Sequence, residues 1–203
     1  MLPIHAPNDK GTDHAHAACT GPNGKAYPPK EYDEPDGLVM TIKESFLKGM
    51  SRTAASVCVV TTDGPGGRHG VTVSAMTSIS ADGEWPSMLV CVNAASATAP
   101  AILENGCFCI NVLSSDQEEI SDVFARRVPA PDGDKFNCAQ FIPMQTGSPG
   151  LIGAQASFDC RIVSAELMGT HHICIGAVED VAVAETGTPL LYGMRGYLRA
   201  DPI

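Results

Sequence analysis

The chain has 203 residues, 44% of them hydrophobic and only 5% aromatic. That is long enough for one domain with a real core, rich in Val, Ile, Ala and Met, that needs no disulfides or metals. Its 23 acidic against 13 basic side chains leave a formal net charge of −10, which argues against a nucleic-acid backbone as partner, although amides and hydroxyls can still bind a small phosphate locally.

Residues 1–37 carry many Pro, Gly, His and Asp residues and no apolar period, so they read as an irregular tail. Residues 38–203 read as one domain. A helix is expected over 38–50, with Val39, Ile42, Phe46 and Met50 on one face. A β-branched strand follows at 56–62. The turn Asp63, Gly64, Pro65, Gly66, Gly67 leads into a second strand at 70–76, which polar residues extend to 80. Pro86 breaks the chain before a buried strand at 87–93. Thr98 is placed to cap a short helix with Pro100 in its first turn, ending near Asn105 and Gly106. Another strand occupies 107–113. Ser115 and Glu118 have capping-box spacing and open a helix to about Arg127, with Ile120, Val123 and Phe124 inward. Residues 128–150 read as loop. Two long strands follow at 155–167 and 171–184, then a short one within 190–198. The sum is mainly β with short helices, and the run of hairpins favours an antiparallel barrel.

No run is apolar enough to cross a bilayer, and the N-terminus lacks a secretory-signal pattern, so a cytoplasmic location is expected. The eight cysteines form no Cys-x-x-Cys pair and sit mostly in apolar strand-like runs. They read as small buried hydrophobes in a reducing compartment, and no metal site is expected. His171 and His172 are adjacent, so a strand points them to opposite faces, which also disfavours a shared zinc ion. There is no nucleophile elbow, His-Glu-x-x-His or P-loop. The glycine-rich stretch at 64–70 runs into a strand rather than a helix, so it is a hairpin turn and not a dinucleotide loop.

Three places suggest a ligand. Residues 72–80 pack hydroxyls and small side chains where a strand meets a loop, which lets a flat ring or phosphate approach the backbone. Residues 93–100 join a buried strand to a helix N-terminus, where free amides favour anions. Gly169, Thr170 and His171 open a strand.

Together these segments resemble the short-chain flavin reductases, the small components of two-component aromatic hydroxylases. The resemblance covers about residues 42–198. It rests on Thr72, Val73, Ser74, Ala75 and Met76 with Ser78, and on Leu89, Val90, Cys91, Val92 and Asn93. It continues through residues 109–114, Gln117, Phe124, Ala125, Lys135, Phe136, residues 157–162, and Gly169, Thr170 and His171. Many members carry Asp where Thr170 stands; the hydroxylase-type reductases carry Thr, which marks a subtype. Residues 84–87 (Glu, Trp, Pro, Ser) stand where relatives often show two prolines.

The resemblance implies a split β-barrel of the FMN-binding type, usually homodimeric. It implies that FMN or FAD binds at Thr72, Val73, Ser74, Ala75, Met76 and Ser78 and at Asn93, Ser96, Ala97 and Thr98. It puts His171 beside the nicotinamide, as an orienting residue with no obligatory proton transfer. The implied activity is reduction of the flavin by NADH, or else NADPH, with the reduced flavin passing to a separate monooxygenase. Two other readings stand beside it: a flavin carrier or sensor without turnover, and an oxidase of the pyridoxamine-phosphate type.

Overall fold

In the computed structural model the described residues are 32–33 and 39–201. The expected tail over residues 1–37 therefore lies outside them except for Tyr32–Asp33, as do Cys19, His5, His14 and His16. The chain divides between Lys48 and Gly49 into two compact units.

In the first unit, β1 (Tyr32–Asp33) pairs antiparallel with β2 (Val39–Met40). The helix α1 (Ile42–Met50) starts later than residue 38 because Thr41 and Glu44 form a capping box. The Thr41 amide donates to Glu44 Oε2 at 2.7 Å, and the Glu44 amide donates to Thr41 Oγ1 at 3.2 Å. Val39 is thus in a strand rather than on the helical face expected for it.

The second unit is built on a seven-stranded antiparallel sheet. Its strands are β4 (Cys58–Thr62), β5 (His69–Val73), β6 (Met76–Ser80), β7 (Ser87–Asn93), β8 (Cys107–Val112), β11 (Ala156–Met168) and β12 (His171–Val183). They lie in the order β5-β4-β8-β11-β12-β7-β6. The two edge strands, β5 and β6, are joined by only Ser74 and Ala75, so the sheet must curl until its edges meet. One interior cluster confirms the curl: Val71 and Val73 from β5, Val60 from β4, Phe108 and Ile110 from β8, Cys160, Cys174, Val90 and Met76 all pack together. The sheet is a barrel split along the seam at Ser74–Ala75. The single strand expected over 70–76 is in fact interrupted there, because a two-residue break lets the chain pass from one edge to the other.

Tight packing in the barrel explains Gly176. A Cβ there would lie 2.7 Å from both Phe108 Cζ and Cys160 Cβ, so any larger residue overpacks the core.

A second cluster covers the outer face of β4 and β8. It contains Val57, Val59, Leu113, Phe124, Phe136 and Leu190. The helix α3 (Glu118–Phe124), two 3-10 turns at Pro131–Gly133 and Lys135–Cys138, β9 (Phe141–Pro143) and β10 (Pro149–Leu151) lie in this part of the chain. So the segment expected as loop is largely structured, around a triangle of edge-to-face rings of Phe124, Phe136 and Phe141. A small sheet of β3 (Ala55–Ser56), β13 (Leu190–Gly193) and β14 (Gly196–Arg199) completes the unit. The strand expected over 56–62 is therefore two, in different sheets, with Val57 as the crossing point: its amide donates to Leu190 O and its carbonyl accepts from Leu113 N. The last expected strand is likewise a hairpin.

Helix α3 ends at Phe124 rather than Arg127, because Arg126 takes a left-handed conformation (φ 59°). Its N-cap is Gln117 and no side-chain capping bond is made. Ser115 instead joins Thr188, whose carbonyl accepts from the Ser115 amide at 2.9 Å. Among the described residues no helix is long and apolar enough to cross a membrane.

Candidate functional site

The barrel seam is where the sheet runs out of backbone pairing, and the expected ligand residues gather there. Ser74 and Ala75 are exposed in the two-residue gap, and the Ala75 carbonyl accepts from the Cys91 amide of β7 at 2.9 Å. This bond places the seam against the end of β7, beside Asn93. Met76 pairs with Val90 and its side chain turns into the core. Ser78 is exposed further along β6. The hydroxyls of Ser74 and Ser78 make no hydrogen bond among the described residues.

Residues 93–98 fold into a turn held by their own side chains. Asn93 Oδ1 accepts from the Ala95 amide at 2.9 Å, the Asn93 carbonyl from the Ser96 amide at 2.9 Å, and Ser96 Oγ from the Thr98 amide at 3.3 Å. The N-cap of α2 (Thr98–Asn105) is Ala97, with no side-chain capping bond. Thr98 is thus the first helical residue and not the cap, because Ser96 already takes its amide. The Ala97 amide has no partner among the described residues. An open amide at a helix N-terminus with a hydroxyl beside it suits an anion.

β12 brings the third segment to the same place. His171 pairs directly with Asn93, and the Ala94 amide donates to Thr170 O at 3.0 Å. On β7, Met88, Val90 and Val92 face the core. Asn93 and His171 therefore stand side by side on the outer face, in line with Cys91 and Ile173. His171 is exposed, and its Nδ1 lies 3.0 Å from Thr170 Oγ1. Nε2 has no partner among the described residues. His172 takes the opposite face.

On its other side the seam opens into a cavity of about 160 Å³ that the sequence did not announce. Thr72, Val73 and Ser74 form one wall; Ala125, Arg127, Tyr192 and Tyr197 face them. Thr72 is fixed by donating to Ser121 O at 2.7 Å. Tyr197 donates to Asp122 Oδ1 at 2.6 Å, and Arg127 Nη1 bonds both Asp122 Oδ1 (3.2 Å) and Tyr197 (3.1 Å). Burial and the bond to Asp122 push the Tyr197 hydroxyl above its ordinary pKa. Burial works against the charge on Arg127, but Tyr197 and Asp122 hold its pKa above the ordinary value. Nothing in local sequence links residues 192 and 197 to residue 74; only the packing of the β13–β14 hairpin on α3 does. Lys135 does not reach this cavity's wall: it donates to Gly70 O and Phe124 O, and burial followed by repulsion from Arg126 lowers its pKa.

Thr72, Val73 and Ser74 thus meet Asn93, Ser96, Ala97, Thr98 and His171 around one seam. A split barrel of this kind is the fold of flavin reductases of known structure. The model of the flavin reductase like domain matches residues 50–201, and the chain belongs to that family.

The chain is 43% identical over 153 residues to FMN reductase (NADH) RutF 2 of Methylorubrum extorquens (strain PA1), covering 75% of this chain and 87% of that protein. It is 41% identical over 165 residues to FMN reductase (NADH) RutF of Methylorubrum populi, covering 81% and 79%. Among solved structures it is similar to the flavin reductase PheA2 (TM-score 0.70, 29% identity, 80% of this chain and 100% of that one). It is also similar to BorF, the flavin reductase component of a bacterial two-component tryptophan halogenase (TM-score 0.69, 29% identity, 79% and 99%).

Proposed function

We propose that the protein is an NADH-dependent flavin reductase that reduces FMN or FAD and passes the reduced flavin to a separate oxygenase. The observation that carries this is the pairing of His171 with Asn93. It sets a projecting imidazole beside a hydroxyl-and-amide cradle, so two ligands can meet at one place. The similarity to reductases named for FMN and NADH supports the coenzyme choice. Its likeness to reductase components such as BorF supports the partner.

When bound, the flavin and the nicotinamide supply the hydride chemistry themselves. The chain's part is to hold two rings face to face. Ser96, the Ala97 amide and Thr98 receive the flavin phosphate. Ser74, Ala75, Met76 and Ser78 carry the rest of the flavin along the seam, with Thr72 and Val73 behind them and Asn93 shaping the turn. His171, braced by Thr170, presents Nε2 to the nicotinamide and transfers no proton. The few cations near the cradle favour reversible binding, which a diffusing product requires.

The outer face that carries His171 also carries half-buried Leu89, Cys91, Ile173 and Ile175, none of them in either core cluster. We assign this face to a second copy of the chain, giving a homodimer. The seven free cysteines among the described residues fit a reducing cytoplasm. We take residues 38–203 as the flavin-binding domain and the first 37 as standing outside it.

The test is NADH oxidation by the purified protein with and without added FMN or FAD. Flavin-dependent turnover supports the reductase. Flavin binding without turnover favours a carrier, and oxygen uptake without nicotinamide favours an oxidase.

A further inference from the structure

We infer that Met168 is a modification site: hydrogen peroxide oxidises its thioether to a sulfoxide, and the sulfoxide, standing beside His171, slows use of the coenzyme. The inference rests on the reductase reading and adds a regulated position to it. Its first support is placement. Gly169, at φ 59°, and Thr170 make a two-residue turn, so Met168 and His171 close the β11–β12 hairpin as a direct cross-strand pair. Directly opposed residues share a face, with Cβ atoms about 5 Å apart. His171 pairs with Asn93 on its other side, so one row runs from Met168 through His171 to Asn93 across the outer face. A dimer built on that face must leave this row open, because the coenzyme meets His171 there.

Its second support is exposure. Met168 is 64% exposed, whereas Met88 is buried in the barrel and Met76 packs against the same core. Among the described residues only Met50 (51%) and Met194 (64%) are comparably open. Met50 ends α1, and Met194 lies in the turn between β13 and β14, where its amide donates to Ser51 O. Peroxide therefore reaches all three sulfurs, and one of them stands next to His171. The selectivity lies in the consequence and not in the rate.

The reaction's own product supplies the oxidant. A reduced flavin that no oxygenase takes up gives two electrons and two protons to molecular oxygen, leaving oxidised flavin and hydrogen peroxide. The Met168 sulfur attacks one peroxide oxygen; the S–O bond forms, the O–O bond breaks, and the other oxygen leaves with both protons as water. Sulfur loses two electrons and peroxide gains them. A thioether sulfur is a weak acceptor, but the sulfoxide is polar and chiral. At the end of a side chain with three rotatable bonds, its oxygen can reach the neighbouring imidazole. It then competes with the coenzyme for the ring and draws it from Thr170 Oγ1, which lies 3.0 Å from Nδ1. Peroxide formed by wasted reduced flavin thus restrains further consumption of NADH.

The experiment treats the full chain with hydrogen peroxide and then removes the peroxide. It measures by mass spectrometry the oxygen added to peptides holding Met50, Met168 and Met194, and compares the Michaelis constant for NADH before and after treatment. Met168→Leu and Met194→Leu are treated in the same way, each as its own reference, since Leu for Met keeps the volume. The imidazole signals of His171 are followed by NMR in the same samples. The expected result is one oxygen on Met168, a shifted His171 signal and an NADH constant raised about tenfold in wild type and in Met194→Leu, with no rise in Met168→Leu. Methionine sulfoxide reductase should reverse the rise. An equal rise in Met168→Leu overturns the inference and leaves the reductase reading intact, as does an oxidised Met168 with the constant and the His171 signal unmoved. An untreated chain that does not oxidise NADH overturns the reductase reading and the inference with it.

Discussion

Two clusters of hydroxyl and amide side chains stand on opposite sides of this barrel's economy: one has used up its hydrogen bonds, and the other has not. The first surrounds Asn111, which is wholly buried. Its Nδ2 donates to Val59 O at 3.0 Å and to Thr61 Oγ1 at 3.1 Å; its Oδ1 accepts from the Leu151 amide at 2.7 Å and from Ser157 Oγ at 2.8 Å. Thr61 in turn donates to Pro149 O. Nearby, the Thr146 amide and hydroxyl both donate to Asp159, each at 2.6 Å. This network stitches the segment 141–151 to the sheet. The second cluster lies along the seam, where Ser74, Ser78 and the Ala97 amide offer hydrogen bonds with no partner among the described residues. Residue type alone does not separate structure from function here; satisfaction does.

The largest effect should come from breaking the closed cluster. Asn111→Ala takes the partner from the Leu151 amide, the Ser157 hydroxyl and the Val59 carbonyl, and should cost about 3 kcal/mol or more of folding stability, read from denaturant midpoints. A loss under about 1 kcal/mol would mean that the network is not the clamp described above. At the open cluster the pattern reverses. Ser96→Ala should weaken FMN binding about tenfold, the worth of one hydrogen bond to a charged group, while leaving riboflavin binding nearly unchanged and costing about 1 kcal/mol of stability through the lost bond from the Thr98 amide. His171→Ala should raise the Michaelis constant for NADH about tenfold and leave FMN affinity within about twofold. Equal loss of both would contradict its assignment to the nicotinamide.

The smallest effect is a pH dependence confined to the closed cluster. Burial pushes the Asp159 carboxyl above its ordinary pKa, against the pull of the two Thr146 bonds, and Asp180 and Glu179 add to the rise. A group with a raised pKa in the folded state contributes stability below the unfolded value, about 4, and loses it as pH rises through the folded value. Wild type should therefore lose stability as pH rises above about 4 relative to Asp159→Asn. Parallel denaturant midpoints for the two proteins across that range would show that Asp159 does not titrate as described.

The sequence showed the open cluster better than the closed one. Small and hydroxyl residues around Ser74 and after Asn93 stand out because strand interiors seldom need them. His171 stands out because it follows Gly169 at a strand start. Asn111, Thr61 and Ser157 look like ordinary strand residues, since their partners are 40 or more positions away. The same distance hid Tyr192 and Tyr197 from the seam. Capping was misread where a side chain had a better partner: Ser96 took the role given to Thr98, and Thr188 drew Ser115 away from α3. The seam itself was invisible because Ser74 and Ala75 continue the strand pattern; only the strand order reveals that they join two edges of one sheet.

We propose that the flavin lies along that seam. Amide chemical-shift mapping during an FMN titration tests it most directly. The largest shifts are expected at residues 74–78 and 93–98, with Thr170 and His171 next and the Asn111 network silent. Shifts centred on residues 141–154, with the seam unmoved, would contradict it.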